Sequence, residues 1–285
     1  MPSINGAVRL IINADDFGLT EGVNRAVSEL YAAGALTSAT LMANGQAFTD
    51  AASSIGPGVG CHIVLVDGTP VSPIEQIPSL LDAGHKGNLR NSLAGFVTDL
   101  QRGKICEREI EIEATAQIRR LQSTGVRVTH IDTHKHTHLF PRVARAIMRA
   151  AITCGIPAIR NPFEQAWSAR LTRGAIVRKL EVAALRHFQQ SFQQVRRAAN
   201  LRTTDGSIGV SATGKLNTAA LQRLIDNIPP GTWELVCHPG YNDKSLDQIR
   251  TRLRSTRDIE REALLQLIPA AARSGNIQLI NFADL

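Results

Sequence analysis

The chain of 285 residues is 43% hydrophobic and carries a formal net charge of +7 at pH 7. Its length fits one large α/β domain or two small ones, and it contains no low-complexity run or short-period repeat of the kind found in fibrous and solenoid proteins. The basic charge favours an acidic substrate, an anionic lipid or a nucleic acid as partner. Only 4% aromatic residues and no nucleic-acid-binding motif argue against the nucleic acid.

Cysteine usage and hydropathy favour an intracellular location. The four cysteines are far apart and form no C-x-x-C pair, which argues against a disulfide framework and a Cys-rich zinc site. The first residues lack a basic region followed by a long apolar stretch, so no signal peptide is predicted. Because the longest apolar runs are strand-sized, we expect a cytoplasmic protein without a transmembrane segment.

The first third of the chain alternates short apolar runs with amphipathic segments. An apolar run predicts a strand at 8–13. The segment 20–35 predicts a helix that begins after Thr20 as N-cap and ends near Gly34. The same alternation continues with a strand, a short helix and a strand at 37–42, 46–55 and 58–66.

The middle of the chain opens with a long functional loop at 67–103, which is rich in Pro, Gly and Ser and has some helix at its end. An amphipathic helix is predicted at 106–125, because apolar residues recur there on one face. A helix beginning at Pro141 is predicted for 141–155, since proline suits the first helical position. Strands are predicted on either side of that helix, at 126–132 and 156–160.

The last third begins with a basic helical insertion at about 165–202 and ends in further strands at 207–210, 232–238 and 277–280. Helices near 217–227 and 256–274 separate these strands. Repeated βα units predict a parallel sheet with right-handed crossovers. We therefore expect one α/β domain over 1–285, a TIM-like (β/α) barrel with eight strands or fewer. No G-x-G-x-x-G or Walker A motif follows the first strand, which weakens a nucleotide-binding alternative.

Residues suited to chemistry follow the predicted strands. Active sites of such barrels lie at the carboxyl ends of the strands. There the sequence places Asp15 and Asp16 after the first strand, His62 within the third, Arg160 at the end of the fifth and His238 at the end of a late one. We expect these side chains to meet on one rim.

The two adjacent aspartates can take different roles. One can bind a cation while the other accepts a proton from water. The alternative for the pair alone is a turn or helix cap, which Gly18 and Thr20 would suit. His238 has two readings as well, a general acid or a strand-end histidine bonded to the backbone.

Four of the eight histidines fall within nine residues, between His130 and His138. An extended chain would place Asp132 and the histidines at 134, 136 and 138 on one face, too many for one ion. We expect one ligand among them and substrate or supporting roles for the others. The alternative is a solvated surface tract. A carboxylate with two imidazoles leaves coordination positions open, as in catalytic sites.

The motifs NADDFG, TSATLMANG, GCHIVL, HIDTHKHTHLFP and CHPGY stand in the order of the YdjC-like carbohydrate deacetylase family, which the chain resembles over nearly its whole length. The resemblance implies a TIM-barrel-like fold, a divalent cation and removal of N-acetyl groups from amino sugars. It implies metal ligation by Asp16, His62 and His134, with Asp15 as general base and His238 as general acid.

Three further residues are expected to contact substrate: Asp132, His136 and Arg160. Arg160 has a second expectation, which is to orient Asp15. Lys135 stands where the family commonly has another histidine, which puts local substrate contacts rather than the metal in question. An Asp/His/His set suits Zn²⁺ and also Mg²⁺ or Mn²⁺.

The stretches VGCHIVLVDGTPVSP and IRNPFE resemble the hopanoid-biosynthesis-associated branch of the family (HpnK), which implies a lipid-linked acetylglucosaminyl substrate. The basic segment 175–201 then predicts a helix that contacts the inner face of the membrane, or else a core-facing helix with a solvated basic side. A homodimer is compatible with the sequence. The alternatives are a deacetylase of soluble chitooligosaccharides, another metal-dependent sugar enzyme, or a non-catalytic basic lipid-binding module.

Overall fold

The computed structural model describes residues 7–54, 56, 58–84, 87–172 and 188–285. The middle of the predicted basic insertion, 173–187, lies outside the described residues, so the predicted helix at 175–201 is described only from 188 onward. None of the described helices is both long enough and apolar enough to cross a bilayer.

A parallel sheet organises the molecule around its first strand, β1 (Val8–Phe17). β6 pairs with one edge of β1 from Val8 to Ala14. On the other edge, β7 pairs with the beginning of β1 and β2 with its end. The main strand order is β4-β3-β2-β1-β6-β5. The remaining strands are β2 (Ser38–Leu41), β3 (Val59–Ile63), β4 (Ile131–Thr133), β5 (Gly206–Ile208), β6 (Gly231–Cys237) and β7 (Ile277–Leu279).

Helices connect the strands much as the apolar periodicity predicts. The Thr20 side chain accepts a hydrogen bond from Val23 N and caps the first helix, as expected. Pro141 begins the fifth helix, also as expected. The helices are α1 (Glu21–Ala32), α2 (Phe48–Ser53), α3 (Leu93–Gln101), α4 (Glu107–Gln122), α5 (Pro141–Thr153), α6 (Ala166–Leu171), α7 (Gln189–Ala198), α8 (Thr218–Asp226) and α9 (Thr256–Arg273).

The prediction of a regular fifth strand at 156–160 is wrong. Only two isolated parallel bridges form there, one between Ile159 and Ile131 and the other between Ala158 and Arg202. Pro157 has no N–H to donate and Pro162 follows the segment closely, so a regular ladder cannot extend through it. The α/β class and the parallel sheet are confirmed, and closure into a complete TIM-like barrel stays a prediction.

The two faces of β1 have different surroundings. Successive strand residues point to opposite faces. Leu10 and Ile12 belong to the large apolar core, together with side chains of the surrounding helices. Ile11 belongs to a separate small cluster with Ala158, Ile280 and Phe282. Further along the same face come Asn13 and Asp15, so this face changes from apolar to polar toward the carboxyl end of the strand.

The long loop at 67–103 contains two short 3₁₀ turns and ends in α3, as the sequence predicts. It is tied to α4 by the buried carboxylate of Glu113, which accepts hydrogen bonds from Val71 N at 2.8 Å and Ser72 N at 2.9 Å. The loop therefore has a fixed anchor where it passes α4.

Candidate metal and catalytic site

The two aspartates at the end of β1 both contact the buried polar cluster. In a regular strand, neighbouring side chains would diverge. Here the register between β1 and β2 shifts between Ala14 and Phe17, and Asp16 adopts a left-handed φ of 64°. Such a conformation is uncommon for residues other than glycine. The irregularity allows Asp15 and Asp16 to serve one site while both remain buried.

Asp16, His62 and His134 are brought together, as the sequence analysis expects. Oδ1 of Asp16 lies 3.2 Å from Nδ1 of His134 and 3.5 Å from Nε2 of His62. Two ligand bonds of about 2.1 Å at a tetrahedral angle put their ligand atoms about 3.4 Å apart. Among the described residues this buried oxygen has no hydrogen-bond partner of normal geometry. The three groups therefore fit a divalent cation.

Asp132 fixes the orientation of His62. Nδ1 of His62 donates to Oδ1 of Asp132 at 2.8 Å, and Oγ1 of Thr40 lies 3.3 Å from the same nitrogen. This arrangement leaves Nε2 of His62 facing Asp16. Metal-binding histidines commonly donate their other ring N–H to a carboxylate in this way. Burial opposes charging of the ring, but Asp132 outweighs it and raises the pKa of His62 to about 10. A cation bound at Nε2 would replace that proton.

The histidine-rich tract is not extended, contrary to the geometry on which its shared face was predicted. His134–Leu139 forms a 3₁₀ turn in which Lys135 and His136 have φ values of 57° and 51°. The rings of His136 and His138 remain near each other, with centroids 6.2 Å apart. His138 is buried, with Nδ1 2.6 Å from Oγ1 of Thr133. His136 is half-buried, and its predicted contact with substrate stays a prediction.

Lys135 lies at the same turn and forms an ion pair with Asp67, the first residue of the long loop. Both side chains are partly exposed, so the pair sits at the solvent edge of the site rather than within it. Lys135 therefore lies outside the buried cluster formed by Asp16, His62 and Asp132.

Arg160 lies beside Asp15, and its predicted contact with substrate stays a prediction. The side chain is fully buried, and it holds Asp15 through two hydrogen bonds, Nη2 to Oδ1 at 2.6 Å and Nη1 to Oδ2 at 2.8 Å. It also pairs with Asp132 and, at 2.7 Å, with Glu234. Asp132 is equally buried, and its predicted contact with substrate also stays a prediction. The alternative expectation, that Arg160 orients Asp15, fits this geometry.

The carboxyl groups of Asp15, Asp132 and Glu234 thus surround the Arg160 guanidinium. The pKa values of Asp15 and Glu234 are shifted in opposite directions. Burial opposes ionisation of Asp15, yet Arg160 holds the pKa of Asp15 well below its ordinary value. For Glu234 burial prevails and raises the pKa to about 7. Glu234 was missed in the sequence, although a single charged residue within the apolar strand TWELVC was a usable signal.

His238 adjoins Asp15, with Nε2 3.8 Å from Oδ2. Its backbone N–H donates to Oε2 of Glu260 at 2.6 Å, which fixes the chain while leaving the ring available. Burial lowers the pKa of His238 to about 4, so the ring is neutral at pH 7. Its other ring nitrogen, Nδ1, has no hydrogen-bond partner within the described part of the chain.

A second arginine, Arg257 of α9, holds the other oxygen of Asp16 at 2.6 Å. Burial opposes ionisation of this aspartate, but Arg257 and the adjacent imidazoles keep the pKa of Asp16 well below its ordinary value. Arg257 was not predicted, because it stands in an ordinary helical segment outside every motif.

A second set of donors, Asp15, His62 and Asp132, also comes within metal-binding distance. Arg160 already neutralises both of its carboxylates. Because a cation there would have to compete with a buried guanidinium, the set formed by Asp16, His62 and His134 is the better cation site.

Comparisons with known proteins indicate what this chain is similar to. A family model described as YdjC-like protein matches residues 9–270. A carbohydrate deacetylase of Thermoanaerobacter pseudethanolicus is 30% identical over 285 residues, which cover 97% of this chain and 98% of the relative. A chitooligosaccharide deacetylase of Escherichia fergusonii is 28% identical over 247 residues, 84% of each chain.

Among solved structures, a candidate cellobiose-phosphate cleavage protein from Enterococcus faecalis V583 superposes with a TM-score of 0.76 at 25% identity, covering 98% of both chains. The chain belongs to the YdjC-like family, which confirms the predicted resemblance; its place within the hopanoid-associated branch stays a prediction.

Proposed function

We propose that this chain is a metal-dependent N-deacetylase that removes the acetyl group from an N-acetylglucosamine moiety. Its relatives include carbohydrate and chitooligosaccharide deacetylases, hydrolases of the amide C–N bond, and the chain shares that enzyme class. One observation carries the proposal: three candidate ligand atoms, from Asp16, His62 and His134, converge next to the acid–base pair Asp15 and His238.

The cation site is supported by the chemistry of its donors. One carboxylate and two imidazoles suit Zn²⁺, and Mg²⁺ would add water ligands to the same set. When bound, such a cation supplies Lewis-acid polarisation of the acetamide carbonyl and lowers the pKa of water. Asp16, His62 and His134 are proposed to hold it.

Asp15 is proposed to accept the proton of the attacking water at Oδ2. Oδ1 already receives hydrogen bonds from Asn13 at 2.9 Å and Arg160 at 2.6 Å, whereas Oδ2 receives one from Arg160. Arg160 keeps the carboxylate ionised and fixes its plane. Asp15 is therefore available as an acceptor at any neutral pH, although its lowered pKa makes it a weak base.

His238 is proposed to deliver the proton to the leaving amine. Because the ring is neutral at pH 7, the proton must come from the reaction itself. Nε2 lies 3.8 Å from Oδ2 of Asp15, so a small side-chain movement brings the two atoms within hydrogen-bond distance. The proton from water can then pass from Asp15 to His238 and on to the amine. Acetate and a free amino sugar are the products.

The proposed substrate is a lipid-linked acetylglucosaminyl hopanoid, and the proposed location is the cytoplasmic face of the membrane. The resemblance of VGCHIVLVDGTPVSP and IRNPFE to the hopanoid-associated branch supports this substrate, as does the basic sequence at 165–202. A soluble chitooligosaccharide is the second candidate, favoured by the name of the Escherichia fergusonii relative.

The test is acetate release by purified protein that has been stripped with a chelator and reloaded with Zn²⁺ or Mg²⁺. An N-acetylglucosaminyl hopanoid is compared with N,N′-diacetylchitobiose, and the stripped protein is the control. Turnover of the hopanoid alone supports the full proposal, and turnover of the soluble sugar alone rejects the lipid assignment. No acetate from either, with metal bound, contradicts the deacetylase and favours another sugar enzyme or a binding module.

A further inference from the structure

Arg257 is a buried cation in an unfavourable local position. It is the second residue of α9, where the amino-terminal end of the helix dipole disfavours positive charge. Its side chain is only 1% exposed. Burying a guanidinium is costly unless carboxylates or other acceptors compensate it. Glu260, three residues further along α9, supplies a nearby buried carboxyl group, but the hydrogen-bonded partner of the guanidinium lies outside the helix.

The hydrogen-bonded partner is Asp16. Nη2 of Arg257 donates to Oδ2 of Asp16 at 2.6 Å, whereas Nε and Nη1 have no hydrogen-bond partner among the residues that the structure describes. Asp16 is therefore the hydrogen-bonded partner that fixes the end of the guanidinium. Oδ1 of the same carboxylate is the oxygen that faces His62 and His134.

The CHPGY motif makes room for this arginine. A Cβ atom on Gly240 would lie 3.0 Å from Cδ of Arg257 and 3.2 Å from Cγ2 of Val23. The backbone N–H of Gly240 also donates to the carbonyl of Arg257 at 3.3 Å. The loop that carries His238 therefore packs directly against the Arg257 side chain, and the absence of a side chain at position 240 leaves space for it.

We propose that Arg257 is a positioning residue of the metal site: it holds Oδ2 of Asp16 and thereby presents Oδ1 alone to the cation. The inference rests on the proposed function, because it concerns the same cation. Asp16 needs such a restraint because its left-handed φ does not by itself fix the carboxylate plane. Without Arg257 the carboxylate can rotate or bind with both oxygens.

If Arg257 acted through its charge alone, its removal would change the metal affinity in the opposite direction. A cation beside the site repels a bound metal, so removal of Arg257 would tighten metal binding if charge alone mattered. Loss of an outer partner that orients a ligand instead weakens metal affinity, typically by about 10–100-fold. The sign of the change in affinity therefore separates positioning from electrostatics.

The experiment compares Arg257→Met, which keeps an unbranched side chain, with the matched control Arg261→Met. Arg261 lies one turn further along α9 and pairs with Glu29 at 3.0 Å, with its guanidinium over the Tyr241 ring. The Kd for Zn²⁺ of the stripped proteins is measured by competition with a chromophoric chelator, and thermal unfolding of the same samples is recorded.

We expect the Kd for Zn²⁺ to rise by about 10–100-fold in Arg257→Met and to stay at the wild-type value in Arg261→Met. Arg257→Lys, which keeps one donor and the charge, should restore part of the affinity. A tighter Kd, or one raised by less than about threefold, overturns the proposal whatever happens to the unfolding temperature. If wild-type protein binds no Zn²⁺, the proposed function fails instead.

Gly240→Ala provides an independent test should Arg257→Met not fold. The added methyl group displaces the Arg257 side chain without removing it, and the backbone of Gly240 does not have a positive φ that alanine would resist. We expect weaker Zn²⁺ binding in the same direction as in Arg257→Met. Wild-type affinity in Gly240→Ala would overturn the proposal.

Discussion

Two buried histidines, His62 within β3 and His130 just before β4, have opposite electrostatic settings. His62 shares a hydrogen bond with Asp132, and its pKa is raised to about 10. The ring of His130 stacks on Phe282, with centroids 3.7 Å apart, and burial holds its pKa well below the ordinary value. Both rings are almost fully buried, so the Asp132 carboxylate accounts for the difference between their pKa values.

Position relative to the strand ends explains which histidine receives that partner. Side chains at the carboxyl ends of parallel strands meet charged groups from several strands, whereas those nearer the amino ends meet the apolar interior. His130 lies on the side of Ile11 and Phe282, and His62 pairs in register with Asp132 of β4. A prediction made from histidine content alone would therefore treat His130 as a candidate ligand as readily as His62.

The largest expected effect at the carboxyl end comes from Asp15→Asn. This change removes the proposed proton acceptor but none of the proposed ligands, so turnover should fall by about 10²–10⁴-fold with Zn²⁺ binding retained. Acetate release and bound Zn²⁺ per chain are measured on the same preparation. If metal is lost together with activity, the division of roles between Asp15 and Asp16 is wrong.

Asp132→Asn should have a smaller effect that added metal can reverse. The variant weakens the hydrogen bond that orients His62 and removes one carboxylate from Arg160. We expect the Kd for Zn²⁺ to rise by about 10–100-fold. Turnover should recover at saturating Zn²⁺, in contrast to Asp15→Asn. Failure to recover would mean that Asp132 acts mainly through Arg160 and Asp15.

Glu234→Gln should leave turnover near wild type, because the pKa of Glu234 is raised to about 7 and glutamine resembles its protonated form. In the unfolded chain the Glu234 carboxyl has its ordinary pKa of 4.5, whereas in the folded protein its pKa is about 7. The folded protein therefore keeps a proton that the unfolded chain releases, and the free energy of unfolding of the wild type falls as pH rises through 7. From pH 6 to 8 the wild type should lose about 1 kcal/mol relative to the variant. Urea unfolding at both pH values measures this difference; parallel pH dependences would contradict it.

The motifs at the carboxyl ends of the strands made the meeting of Asp15, Asp16, His62 and His238 predictable, because parallel strands bring their ends together. The turn geometry after His134 was not predictable, since two consecutive left-handed residues other than glycine have no sequence signature here. The weak pairing at 156–160 could have been foreseen from Pro157.

The buried partners of the site were harder to predict than its ligands. Arg160 was recognised as a site residue, but a sequence cannot show that three carboxylates surround it. Arg257 reaches Asp16 across 241 positions of the chain, and its helical segment looks like any amphipathic helix. Long-range ion pairs of this kind depend on tertiary packing, which local patterns do not encode.

The smallest effect on turnover should come from His130→Ala, at the apolar side of the comparison. The ring fills space against Phe282 and against Gly60, where even a Cβ atom would lie 2.4 Å from it. Removing it should cost about 3–5 kcal/mol of unfolding free energy, as for other aromatic rings cut back to alanine in a core. The kcat of the folded fraction and its Zn²⁺ content should equal those of wild type, since His130 contacts none of the proposed ligands.

Urea unfolding measures the loss of stability in His130→Ala, and acetate release measures its kcat. His62→Ala is the matched control and should lose Zn²⁺. Loss of metal in His130→Ala would show that the two histidines are coupled through β3, and that the division between the two ends of the sheet does not hold.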